Sequence, residues 1–160
     1  MKSSELLNDV LNDLTHLDKE ELSESDSECF KLMVSKNCDM NRRDIKIAKD
    51  FLEYCAKVLK LNDVYRCYLA SDRKKSKIIT TAICSYSQKN IRVYCTSRSL
   101  ADVLRSIAHE AFHLKQYEVD AIPRKMPPHH VNPIEFDANI FGGSMLSLYA
   151  AKKGRDKIYR

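Results

Sequence analysis

The period at which apolar side chains recur switches along the chain and then switches back. That switching constrains the fold more than any other feature. From Asp44 to Leu61 apolar residues return every three or four positions (Ile45, Ala48, Phe51, Leu52, Cys55, Val58, Leu59), the stripe of a helix buried on one face. Three short runs rich in Val, Ile, Thr and Tyr follow: Val64–Ala70, Lys77–Ser87 and Asn90–Thr96. In the last, Ile91, Val93 and Cys95 alternate with Arg92 and Tyr94, as in a strand with one buried face. Gln88-Lys89-Asn90 suits a tight turn, so the three runs predict an antiparallel meander. The helical period returns over Ser99–Glu118 with Leu100, Val103, Leu104, Ile107, Ala111 and Leu114. Pro123, Pro127 and Pro128 then require a loop. A last helix opens at Asn132-Pro133, a cap followed by proline in the first turn, and runs to about Lys153, where Gly154 can end it.

Upstream, Leu6, Leu7, Val10, Leu11 and Leu14 predict a short amphipathic helix over residues 4–15, capped by Ser3 or Ser4. Residues 18–28 are acidic and serine-rich and read as a flexible joint, and residues 29–40 are ambiguous, with room for a brief helix. The expected class is α+β: N-terminal helices, a three-stranded antiparallel meander, a long helix, a loop and a C-terminal helix. Residues 1–40 read as an acidic lead segment and residues 41–160 as the domain proper.

Composition narrows the classes. The 160 residues are 44% hydrophobic and 31% charged, too apolar for a disordered chain. No apolar run approaches the ~18 residues of a membrane span. No uncharged apolar block stands near the start, so no secretory signal is expected. The expected setting is the cytoplasm, or the interior of an infected cell, with no membrane partner. The six cysteines contain no C-x-x-C pair, which argues against a thiolate zinc site and, without export, against a disulfide framework. Charge is uneven: residues 1–40 hold ten acids against four lysines, and the remainder 12 acids against 23 lysines and arginines. The basic clusters at residues 72–77 and 152–155 fit nucleic acid or an acidic partner, yet no nucleic-acid motif accompanies them, and solvated loops and helix ends look the same.

The residues that carry chemistry are His109-Glu110-Ala111-Phe112-His113. Histidines at i and i+4 project from one face of a helix, one turn apart, as two imidazoles on one Zn²⁺ require. That face lies roughly opposite the helix's apolar stripe and is free to line a cleft. Beside a zinc-bound water, Glu110 can take the proton that makes water a nucleophile and pass it to the leaving amine. The pattern is short, and two surface histidines with an acid also produce it. Glu135, at the start of the last helix, offers a third ligand. Ala138, Asn139 and Gly142 share its face, and such small residues let two helices approach closely, while Asn139 can hydrogen-bond a ligand histidine. Against this, Asn132 and Glu135 are spaced as a capping box. Asp137 should point elsewhere on the helix. His129 and His130 would make an all-histidine site, as in SprT-like DNA-associated proteases. His129, His130 and Tyr117 are also candidates for stabilising an oxyanion.

His109-Glu-Ala-Phe-His113 followed by Glu135-Phe-Asp-Ala-Asn139-Ile-Phe141 resembles the gluzincin metallopeptidases, and in detail the small ImmA/IrrE-type and minigluzincin proteins, some of them phage-encoded. The resemblance spans roughly Val64 to Leu148. It implies zinc held by His109, His113 and Glu135, with Glu110 as base. It also implies that Ile91–Cys95 is an edge strand onto which a peptide substrate adds. Asp137 and Gly142 depart from the family string, at positions that are not ligands. The expected activity is a zinc-dependent endopeptidase acting on a specific intracellular protein, with the acidic lead as a removable cover whose deletion raises activity. The alternatives are a zincin-fold binding module without proteolysis, or a nucleic-acid-associated protease.

Overall fold

The computed structural model describes residues 1–16, 29–71, 81–123 and 132–159. The serine-rich joint, the basic cluster at 72–77, His129 and His130 lie outside the described residues. The elements in order are α1 (Ser3–His16), β1 (Phe30–Val34), α2 (Arg42–Leu59), β2 (Tyr65–Ala70), β3 (Ala82–Ser85), β4 (Asn90–Tyr94), α3 (Leu100–Glu118), α4 (Pro133–Lys153) and α5 (Arg155–Ile158). The class is α+β.

Local chemistry sets the helix ends. Asn41 accepts from the Asp44 N–H to start α2, and Lys60 stops it in a left-handed conformation (φ 50°). Ser99 accepts from the Asp102 N–H at the head of α3. Asn132 accepts from the Ile134 N–H, with Pro133 in the first turn of α4, and Gly154 (φ 105°) ends that helix.

The strands do not form a meander. They make one mixed sheet in the order β1-β2-β4-β3, with β2 parallel to both β1 and β4, and only β3 antiparallel to β4. Residues 30–34, expected as a possible helix, are a strand. Helix α2 is the crossover that two parallel neighbours require. Strand β4 is therefore interior, and the exposed edges belong to β1 and β3, which corrects the expectation that Ile91–Cys95 lies at an edge.

Tyr65, Cys67 and Leu69 of β2 and Ile91 and Val93 of β4 turn inward and are buried. Helix α3 packs on β3 and β4 with one side and on α4 with the other, while α1 packs on α4 and α2. Phe112 of α3 stacks on Phe141 of α4 at 5.1 Å between ring centroids. Leu6, Leu7, Val10 and Leu14 of α1 and Phe30 of β1 are buried in the same core as α2, α3 and α4. The core thus takes in α1 and β1, two elements that precede residue 40.

The opposite face of the sheet carries Lys31, Arg66, Asn90 and Ser85 in one register row and Met33, Tyr68, Arg92 and Ile83 in the next. The Arg92 guanidinium lies 5.2 Å from the Tyr68 ring centre. Among the described residues no helix is long and apolar enough to cross a membrane. All six cysteines are free thiols.

Candidate metal centre

Three side chains from two helices converge. His109 and His113 stand one turn apart on α3, and Glu135 projects from the first turn of α4. The two Nε2 atoms are 3.0 Å apart. Glu135 Oε2 lies 2.9 Å from His109 Nε2, and Oε1 lies 3.1 Å from His113 Nε2. One ligand atom from each residue falls within 4.8 Å of the others. Ligand atoms bonded at ~2.0–2.1 Å to tetrahedral zinc are separated by about 3.3 Å. The observed separations fall a few tenths of an ångström short of that, so small outward shifts would admit the cation. Two imidazoles and a carboxylate with one corner left over form the donor set of a catalytic zinc site.

The competing roles for Glu135 separate on this geometry. Its carboxylate meets the histidines, and the cap of α4 is made by Asn132 alone. Asp137 points away, accepting a 2.7 Å hydrogen bond from Ser3 Oγ. Gly142 allows the helices to meet: a Cβ there would lie 3.1 Å from the Arg105 carbonyl oxygen. Asn139 lines the same cleft as His109. The histidine face is more covered than its position opposite the apolar stripe suggests, because α4 closes over it; His113 is 7% exposed.

Charge is strongly organised. Burial pushes the Glu110 carboxyl up to about 7; His113 opposes this and the charge of Glu135 adds to it. The hydrogen bond from His113, against the cost of burial and with the charges of both histidines, holds Glu135 down at about 2. Burial alone would lower His113, but its hydrogen bond to Glu135 and the charges of Glu110 and Glu135 outweigh burial and raise it. His109 is lowered, by burial and then by the charge of His113. Glu135 is thus held ionised and favours the protonated form of His113, so that without a cation the two make an ion pair.

These residues line a cleft of about 610 Å³. One wall is β3, from Thr81 to Cys84. Arg98, Arg105 and Ser106 occupy one end, and Tyr117, Ile122 and Ile134 the other. Tyr117 stacks on Tyr86 at 5.1 Å. Comparison with protein-family models, curated proteins and solved structures returned no match.

Three participants carry no sequence signal. Cys84 enters from β3, and its thiol is pushed up to about 12 by burial and then by the charges of Glu110 and Glu135. Gln116 is fully buried and lies 2.6 Å from His113 Nδ1. Ser3 reaches the site from the other end of the chain. A glutamine three residues after a histidine reads as helix surface, and a serine at residue 3 reads as a cap.

Proposed function

We propose that this chain is a gluzincin-like, zinc-dependent endopeptidase that cleaves an extended segment of a protein substrate in the cytoplasm or within an infected cell. The observation that carries the reading is the convergence of His109, His113 and Glu135 beside a buried Glu110 in an open cleft. Zinc, when bound, supplies Lewis acidity, lowering the pKa of water and polarising the scissile carbonyl. Glu110, adjacent to both histidine ligands, takes a proton from water at Oε and returns it to the departing amine. Burial pushes its carboxyl up, to about 7 in the zinc-free protein, which favours proton uptake. The edge strand beside the ligands is β3, so the substrate lies along β3 rather than along β4. The free thiols suit a reducing compartment.

The test is metal stoichiometry and hydrolysis together. The wild type should hold one zinc per chain, Glu135→Ala should hold far less, and Glu110→Gln should keep the metal and lose about 10²–10⁴-fold in hydrolysis of a denatured protein substrate. A Glu110→Gln protein with full biological effect would hand the role to a binding module on the same fold.

A second reading, contact with a polyanion, is favoured by the sheet's outer face. Lys31, Arg66 and Arg92 lie there, and no described carboxylate forms an ion pair with any of them. Binding to a single-stranded oligonucleotide that falls steeply with salt, and more gently in Arg66→Ala/Arg92→Ala, would support a nucleic-acid-associated protease. Salt-independent or absent binding would remove that reading.

A further inference from the structure

A buried hydrogen-bond chain runs from the N-terminal helix to a candidate ligand. Gln116 Nε2 donates to the Ile134 carbonyl at 3.1 Å and to Ser3 Oγ at 2.8 Å. Ser3 Oγ in turn donates to Asp137 Oδ2 at 2.7 Å. The Ile134 carbonyl can only accept, so the amide nitrogen of Gln116 must face it. Gln116 Oε1 is thereby turned toward His113 Nδ1, 2.6 Å away, and must accept from it. Gln116 thus offers an acceptor to an Nδ1 proton of His113, the tautomer in which Nε2 keeps its lone pair for a cation shared with His109 and Glu135. None of the four side chains is more than 7% exposed, so water does not compete for these bonds.

We propose that Ser3, Asp137 and Gln116 are positioning residues for His113, which makes the first turn of α1 part of the support of the metal centre. This rests on the metal-centre reading above. The chain joins three helices: Ser3 on α1, Gln116 on α3, and Ile134 and Asp137 on α4, one residue before and two after Glu135. It holds both the tautomer of one ligand and the distance between the two ligand-bearing helices. Partners of ligand histidines commonly contribute 10–100-fold to metal affinity. Removing the Ser3 hydroxyl leaves the Asp137 carboxylate without that donor and Gln116 with one anchor in place of two.

Two measurements test this on the full chain. In the metal-free protein, ¹⁵N shifts of the His113 ring at a pH above its titration should report the Nδ1–H tautomer. Gln116→Leu should move the ring to a mixture or to Nε2–H. By chelator competition, zinc affinity should fall at least 10-fold in Gln116→Leu and several-fold in Ser3→Ala, and Ser3→Thr, which keeps the hydroxyl, should stay within twofold of wild type. Should Gln116→Leu fail to fold, Ser3→Ala against Ser3→Thr carries the test. Zinc affinity unchanged in Ser3→Ala and Gln116→Leu, or an Nε2–H tautomer in the wild type, overturns the positioning role alone. A wild type that takes up no zinc overturns the metal reading and the positioning role with it.

Discussion

At the residue scale, the cleft places a thiol beside two carboxylates. Cys84 is only partly buried, yet burial and the charges of Glu110 and Glu135 hold its thiol near 12. At pH 8 about one thiol in 10⁴ is then ionised, against roughly a quarter for an unperturbed cysteine. In zinc-free protein, alkylation of Cys84 by iodoacetamide, followed by mass spectrometry, should run more than 100-fold slower than that of a model thiol. Glu110→Gln should speed it measurably. Equal rates in the two proteins would mean that Glu110 does not act on Cys84. The convergence of His109, His113 and Glu135 was legible in the sequence because i, i+4 spacing and a small-residue face are local patterns. Gln116, Ser3 and Cys84 were not, because their roles arise only when α1, α3, α4 and β3 are brought together.

At the element scale, the four longer helices were legible from their apolar period, and the last also from its ends, since Asn132 and Gly154 act within one turn of their own position. The sheet was not. Strand β1 has five residues and only Phe30 fully buried, so its sequence shows no clean alternation. Its partner β2 lies beyond a whole helix, and parallel pairing leaves no turn signature. A hairpin-like link between runs suggested neighbours in order, whereas β4 is inserted between β2 and β3. The α3–α4 contact gives a paired prediction. A side chain at Gly142 meets the Arg105 carbonyl, whereas one at Gly143 meets nothing within 4 Å. Gly143→Ala should therefore stabilise by about 0.5–1 kcal/mol through helix propensity. Gly142→Leu should destabilise by ~1–3 kcal/mol and weaken zinc binding, because it forces apart the helices that carry the ligands. Thermal unfolding and chelator competition on the two variants check this, and a Gly142→Leu protein with wild-type zinc affinity would contradict it.

At the scale of the whole molecule, the candidate metal centre would tie stability to pH, with a sign that depends on the cation. In zinc-free protein His113 is raised, so its contribution is full below its ordinary value of 6.5 and is lost as pH rises through its folded value. Glu110 is raised from 4.5 to about 7, so ionising it in place costs progressively more stability as pH climbs through that interval. His109 is lowered and acts the other way, favouring the fold above 6.5. Glu135, held near 2, contributes fully above 4.5 and loses that contribution only as pH falls from there toward 2. In the zinc-free fold Glu110 thus weakens stability as pH rises from 4.5 to about 7, His109 strengthens it up to 6.5, and His113 weakens it only above 6.5. Zinc requires unprotonated imidazoles, so its stabilisation grows over the same interval. The gap in Tm between zinc-saturated and chelator-treated protein should widen from pH 5 to 8. At zinc a hundredfold above its Kd the gap corresponds to ~2.7 kcal/mol, or about 5–10 °C for a domain of this size. Differential scanning calorimetry across that range checks it. A gap that stays constant or narrows with rising pH would mean that the cation is not held by these histidines.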